Sequence, residues 1–79
     1  MEINVEEGQT VQIGEFNGNT IVNVKRFKGK AYVDIRKWFN TGSSLAPTKK
    51  GISIELIDVS TLIDLLSKVE ELKAQGKLS

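Results

Sequence analysis

Along most of this chain apolar and polar side chains take turns, and near the end the rhythm changes. From Lys30 to Arg36 the alternation is strict. Ala31, Val33 and Ile35 fall on one side, and Lys30, Tyr32, Asp34 and Arg36 on the other. Successive side chains of a strand point to opposite faces, so this is a strand of an antiparallel sheet with one face buried. Residues 20–27 are rich in β-branched side chains and alternate in part, with Val22 and Val24 opposed to Asn23, Lys25 and Phe27. Lys28-Gly29 joins the two as a short turn, with a glycine free to take positive φ. A further strand is predicted over residues 10–16, followed by the hairpin sequence Asn17-Gly18-Asn19. Residues 41–47 read as a loop by composition. Residues 50–56 read as a fourth strand, with Ile52, Ile54 and Leu56 on one face.

The last third changes period. Leu62, Leu65, Leu66, Val69 and Leu72 recur at helical spacing and form one apolar stripe, which Val59 and Ile63 widen. Asp58 or Ser60 is placed to cap its start, and Gly76 sits where such a helix ends. The pattern is ββββα, an α+β domain. The helix is expected to cover the apolar face made by Val22, Val24, Ala31, Val33, Ile35, Ile52 and Ile54. Surplus apolar width would be available to a second copy of the chain. A helix that pairs only within its own monomer is the alternative.

With 79 residues the chain is read as a single domain, 1–79. A domain of this size buries only about 60–65% of its unfolded surface, so its core is thin. There is no Cys and no His. That removes disulfides, thiolate metal sites and the commonest general base. The acidic residues show no metal-loop spacing, so an enzyme, a metal and a cofactor are not expected. The N-terminus lacks the basic-then-apolar pattern of a signal peptide, and no apolar run reaches the ~20 residues needed to cross a bilayer. A soluble, intracellular protein without a membrane partner is expected.

The formal net charge of +1 hides an uneven distribution. Residues 25–50 hold eight cations (Lys25, Arg26, Lys28, Lys30, Arg36, Lys37, Lys49 and Lys50) against the single carboxylate of Asp34, whereas both flanking stretches are net acidic. A local patch of one sign attracts polyanions whatever the overall charge. Here the cations alternate with aromatic rings. Lys25 and Phe27 share the polar side of one strand, Lys30, Tyr32 and Arg36 that of the next, and Trp38 and Phe39 follow at its end. A single nucleic-acid strand needs cations for its phosphates and flat rings for its bases. Lys49 and Lys50 precede Gly51, whose missing side chain would let a backbone N–H approach a phosphate.

Each of these has a plainer reading. Phe27 could cap the core at a hairpin, and Tyr32 could be a packing residue. Of two adjacent rings on a strand, one points inward, so Trp38 or Phe39 belongs to the core. Asp34 among cations is read as ordering Arg or Lys side chains. Lys49-Lys50-Gly51 lacks the two spaced glycines and the following Ser or Thr of a phosphate-binding P-loop.

The ordered set Phe27-Lys28-Gly29-Lys30, Val33-Asp34-Ile35-Arg36 with Trp38-Phe39, and Pro47-Thr48-Lys49-Lys50-Gly51-Ile52-Ser53 resembles the signature of the positive-cofactor-four transcriptional coactivators. With Gln12-Ile13-Gly14 and the C-terminal helix the resemblance covers about residues 10–75, the core module. It implies a curved four-stranded antiparallel sheet and a dimer built through the helices. It also implies that single-stranded DNA, or the melted part of a duplex, is held in basic channels, in support of transcription and also of replication and repair. Carried over by position, the family's DNA contacts fall on Lys25, Phe27, Lys28, Lys30, Arg36, Phe39, Lys50 and Gly51. The chain departs from the pattern in three places. The larger indole stands first in the aromatic pair, Glu15 replaces a residue that is often basic, and Asn17-Gly18-Asn19 lengthens the first hairpin. A Ser-rich acidic region ahead of the domain is not seen, as expected of a compact bacterial or phage member.

The leading expectation is therefore a homodimer that binds single-stranded DNA without reading sequence. An adaptor whose basic face docks an acidic partner from the transcription machinery fits the charge map equally well and the aromatic residues less well. Nothing in the sequence identifies a reader of the 2′-hydroxyl, so RNA stays open as a ligand.

Overall fold

The computed structural model describes residues 4–78. Four strands follow one another as a meander: β1 (Thr10–Phe16), β2 (Thr20–Phe27), β3 (Lys30–Asn40) and β4 (Leu45–Glu55). They pair antiparallel in that order and form one open, curved sheet. A 3-10 turn, Leu56–Asp58, leads into α1 (Val59–Ala74). The α+β class and the ββββα order expected from the alternation are those observed.

Register explains the two faces. β2 and β3 pair without interruption from Thr20↔Lys37 to Phe27↔Lys30. Directly opposed residues share a face, so Asn23 joins Asp34, Lys25 joins Tyr32 and Phe27 joins Lys30. Thr10 and Gln12 of β1 extend this polar face on one side, and Gly51, Ser53 and Glu55 of β4 on the other. The pairs Val22↔Ile35, Val24↔Val33, Ile35↔Ile52 and Val33↔Ile54 make the reverse face apolar. The β2–β3 turn holds both Lys28 (φ 53) and Gly29 (φ 78) in the left-handed region. That is the backbone of a two-residue hairpin turn whose twist matches the strands.

The loop expected over residues 41–47 is shorter than composition suggested. β3 runs on to Asn40 and β4 starts at Leu45, with Asn40 opposite Leu45 and Trp38 opposite Pro47. Proline is tolerated because β4 is an edge strand, where no ladder partner needs its N–H. Between Arg36 and Trp38 the register slips, so that Lys37 alone faces residues 48–50. Irregularities of this kind bend a strand and increase its twist. Leu56, expected on β4, belongs instead to the 3-10 turn.

The expectation that the helix covers the apolar face is overturned. α1 contains no buried residue, and Ile63, Leu65, Leu66 and Val69 are all half exposed or more. The 3-10 turn redirects the chain directly after Glu55, so α1 leaves the sheet rather than folding back across it; its close neighbour is that turn. Ile52 on the sheet and Ile57 in the turn are 57% and 82% exposed. Asp58 occupies the N-cap position but makes no capping bond, and Ser60 lies inside the helix. The C-terminal expectation holds. Gly76 takes φ 71 and donates to Lys73 O, and Lys77 N donates to Leu72 O, which satisfies the last carbonyls. No described helix is long and apolar enough to cross a membrane.

Ahead of β1, residues 5–9 are strapped to the end of β2. Gly8 N donates to Arg26 O (2.8 Å), Arg26 N to Gln9 O (3.2 Å) and Arg26 Nε to Val5 O (2.9 Å).

Candidate nucleic-acid interface

The polar face is the hollow side of the sheet. Asn23 and Asp34 are buried there without any element packed over them, and so is Ile21, the buried apolar side chain of the described residues. Asp34 lies at the centre of the floor. Its carboxylate accepts from Arg36 Nε (3.2 Å to Oδ2), from an Arg36 terminal nitrogen (3.1 Å to Oδ1) and from Ser53 Oγ (2.9 Å). Burial pushes the Asp34 carboxyl upward. The hydrogen bonds from Arg36 and Ser53 and the charges of Arg36 and Lys25 outweigh it, and the group is held below its ordinary value of 3.8. Asp34 therefore orders Arg36, as the sequence suggested. The other Arg36 terminal nitrogen donates to Thr48 O (2.9 Å), while Thr48 Oγ1 donates to Lys37 O (2.8 Å) and accepts from Lys50 N (3.1 Å). One arginine thus ties β3 to the irregular stretch of β4.

Gly51 stands opposite Arg36. A Cβ on it would lie 2.7 Å from both Cβ and Cγ of Arg36, far inside contact distance. The space left by the missing side chain is therefore taken by the arginine. The missing side chain of this glycine lets Arg36 lie flat on the sheet.

Two adjoining hollows run along this face and share Thr10 and Lys25. One is lined by Phe27, Tyr32, Gln9 and Ser53 as well, the other by Asn23, Asp34, Arg36, Trp38 and Pro47. Beyond Trp38 a third continues toward Glu15 and Asn40. The result is a groove with Phe27 and Tyr32 at one end, Trp38 near the other, and the cations of Lys25 and Arg36 between them. Phe27 is 58% exposed, so it is a surface ring and not the core cap of the plainer reading. Lys28 Nζ sits 5.3 Å from its ring centroid, within cation–π range.

The predicted residues do not all converge. Lys25, Phe27, Arg36 and Trp38 line the groove. Lys28 and Lys30 sit at the β2–β3 turn by its Phe27 end, and there Lys30 Nζ pairs with Glu55 (3.4 Å). Lys49 and Lys50 are exposed on the edge strand beside Thr48. Phe39 is half exposed and lines neither of the two main hollows; of the adjacent rings, Trp38 is the one within the groove. Its Nε1 is buried with no hydrogen-bond partner. Sequence reasoning missed Thr10, Thr48 and Ser53 as parts of the floor, and placed Asn23 on this face without giving it a role. Ser53 was accessible to it, since alternation with Ile52 and Ile54 puts it on the polar face. The role of Thr48 depends on the register slip and has no local signal. Among the described residues no cluster of acidic side chains could hold a metal ion.

Comparison with known proteins follows the same lines. The family model for Transcriptional Coactivator p15 (PC4) matches residues 17–65. An RNA polymerase II transcriptional coactivator of Drosophila melanogaster is 38% identical over 48 residues, covering 61% of this chain and 44% of that protein. A protein of Neurospora crassa, which carries the same name provisionally, is 32% identical over 63 residues, covering 78% of this chain and 37% of its own length. The chain thus spans less than half the length of these relatives. No solved structure matches.

Proposed function

Since this chain belongs to the family of Transcriptional Coactivator p15 (PC4), we propose that it binds single-stranded DNA, or the melted part of a duplex, without reading sequence, and does so as a homodimer with a coactivator-like part in transcription. The observation that carries this is the groove. Phe27, Tyr32 and Trp38 lie along one hollow face with Lys25 and Arg36 between them. Bases stack on such rings at ~1–3 kcal/mol each, and the cations meet the intervening phosphates. Lys28, Lys30, Lys49 and Lys50 supply further positive charge at the turn and the sheet edge, and Phe39 remains a candidate second ring at the far end. The dimer rests on the uncovered apolar surface of the sheet and α1, which a second copy would bury. The two relatives' names as RNA polymerase II coactivators support a setting in transcription; replication and repair would use the same binding.

The test is fluorescence anisotropy with single-stranded and duplex oligonucleotides of equal length, and with heparin, at two salt concentrations, using wild type and Phe27→Ala. Tighter binding to the single strand, weakened in the variant by about 1–3 kcal/mol at unchanged melting temperature, is expected. Equal binding to all three polyanions, indifferent to Phe27, would replace this reading with an adaptor surface for an acidic protein partner.

A further inference from the structure

At the β2–β3 turn, beside the Phe27 end of the groove, two donors are met by the chain's own carboxylates. Both oxygens of Glu7 accept from the backbone N–H of Gly29, each at 3.2 Å. Gly29 is the second residue of the β2–β3 turn, with Lys28 and Lys30 on either side. Its N–H points out of the hairpin at an anion instead of into the ladder. Glu7 is not there by chance of side-chain length. The strap of residues 5–9 is fixed to Arg26 by three hydrogen bonds, and Gln9 N closes a turn onto Glu6 O at 2.9 Å with Gly8 at φ 79. Gly8 and Gln9 line the same hollow as Phe27 and Tyr32. Close by, Glu55 takes Lys30.

We infer that the Gly29 N–H, with Lys28 and Lys30, is a phosphate-receiving position, and that Glu7 holds the place of the phosphate in the free protein as a built-in competitor. The inference rests on the single-strand reading above. A backbone N–H flanked by cations suits a phosphate oxygen as well as a carboxylate. The two anions cannot share one donor at contact distance, so an arriving strand must displace Glu7. The competition sets a threshold on affinity. It also disfavours weakly charged ligands, because only a polyanion with several further contacts recovers what the displaced contact contributed.

The experiment compares the full chain with Glu7→Gln and, as a control for charge alone, Glu6→Gln, whose carboxylate makes no hydrogen bond among the described residues. Each is titrated with a labelled oligo-thymidine, and the Gly29 amide is followed by 15N–1H correlation spectra. Glu7→Gln is expected to bind roughly threefold to fivefold tighter than Glu6→Gln at low salt, the scale of one exposed charge contact. The Gly29 amide should move on this substitution alone, and again in wild type when DNA is added. Equal affinity of the two variants, or a Gly29 amide indifferent to Glu7→Gln, would overturn the competitor while leaving the groove reading intact. Absence of oligonucleotide binding in wild type and both variants would overturn the groove reading first, and the competition with it.

Discussion

Gly51 lies against Arg36 so closely that a methyl group on it would stand 2.7 Å from Arg36 Cβ and 2.8 Å from its Cα. The contact is with backbone and stem, not with a flexible tip, so the arginine cannot swing away to relieve it. Strand β4 would have to shift, and Thr48 and Ser53 with it.

Gly51→Ala is therefore expected to cost about 2 kcal/mol, the scale of overpacking a tight site, and to lower the melting temperature by roughly 10 °C for a domain of this size. Because Cα and Cβ persist in alanine, Arg36→Ala should not restore stability in the double variant. A thermal melt of the three proteins decides it; full rescue would mean that the outer part of the arginine, not its stem, is what Gly51 accommodates.

Asp34 makes stability depend on pH in a stated direction. Its folded pKa lies below its ordinary 3.8, so the ionised group stabilises the fold fully above that value. The contribution is lost as pH falls below it and through the lower folded value. Asp34→Asn should be less stable than wild type at pH 7 by about 1–3 kcal/mol, the scale of hydrogen bonds to a charged group. The two melting curves should converge between pH 4 and the onset of acid unfolding. A gap that stays constant down to pH 3 would place the effect in packing, not in charge.

Lys28 holds a left-handed backbone with a long side chain, a conformation that asparagine tolerates better. Lys28→Asn is expected to stabilise the protein by about 0.5–1 kcal/mol while weakening oligonucleotide binding and lowering the salt slope by about 0.7, the loss of one phosphate contact to a single strand. Opposite signs in a melt and an anisotropy titration would identify the lysine as kept for binding. A loss of stability would show that its packing over the Phe27 ring outweighs the backbone strain.

The exposed stripe of α1 predicts self-association. Sedimentation velocity of wild type should give a dimer whose melting temperature rises with protein concentration, and Leu66→Asp should give a monomer of much lower stability. A wild-type monomer with a concentration-independent melt would leave the apolar face without the proposed occupant.

The faces of the sheet were legible in the chain because strand periodicity is local. Alternation over residues 30–36 alone separates Val33 and Ile35 from Asp34 and Arg36, and no distant residue is needed to know it. The same holds for the hairpin at Lys28-Gly29 and the helix end at Gly76, where conformational preference acts within a few residues. The loop over 41–47 was misjudged because Pro47 reads as a breaker until its strand is known to lie at an edge. What fills the space beside Gly51 was not legible, because a glycine's missing side chain says nothing of its neighbour; the regular pairing of β3 with β4 brings Arg36 there. The path of α1 was equally out of reach. Its apolar stripe requires some cover, and periodicity cannot say whether that cover comes from its own sheet, since the answer depends on three residues of 3-10 turn that redirect the chain. Pattern along the chain sets which side chains travel together. Which groups meet across the groove, and which surface is left bare, follows from curvature and register, and these are properties of the assembled sheet.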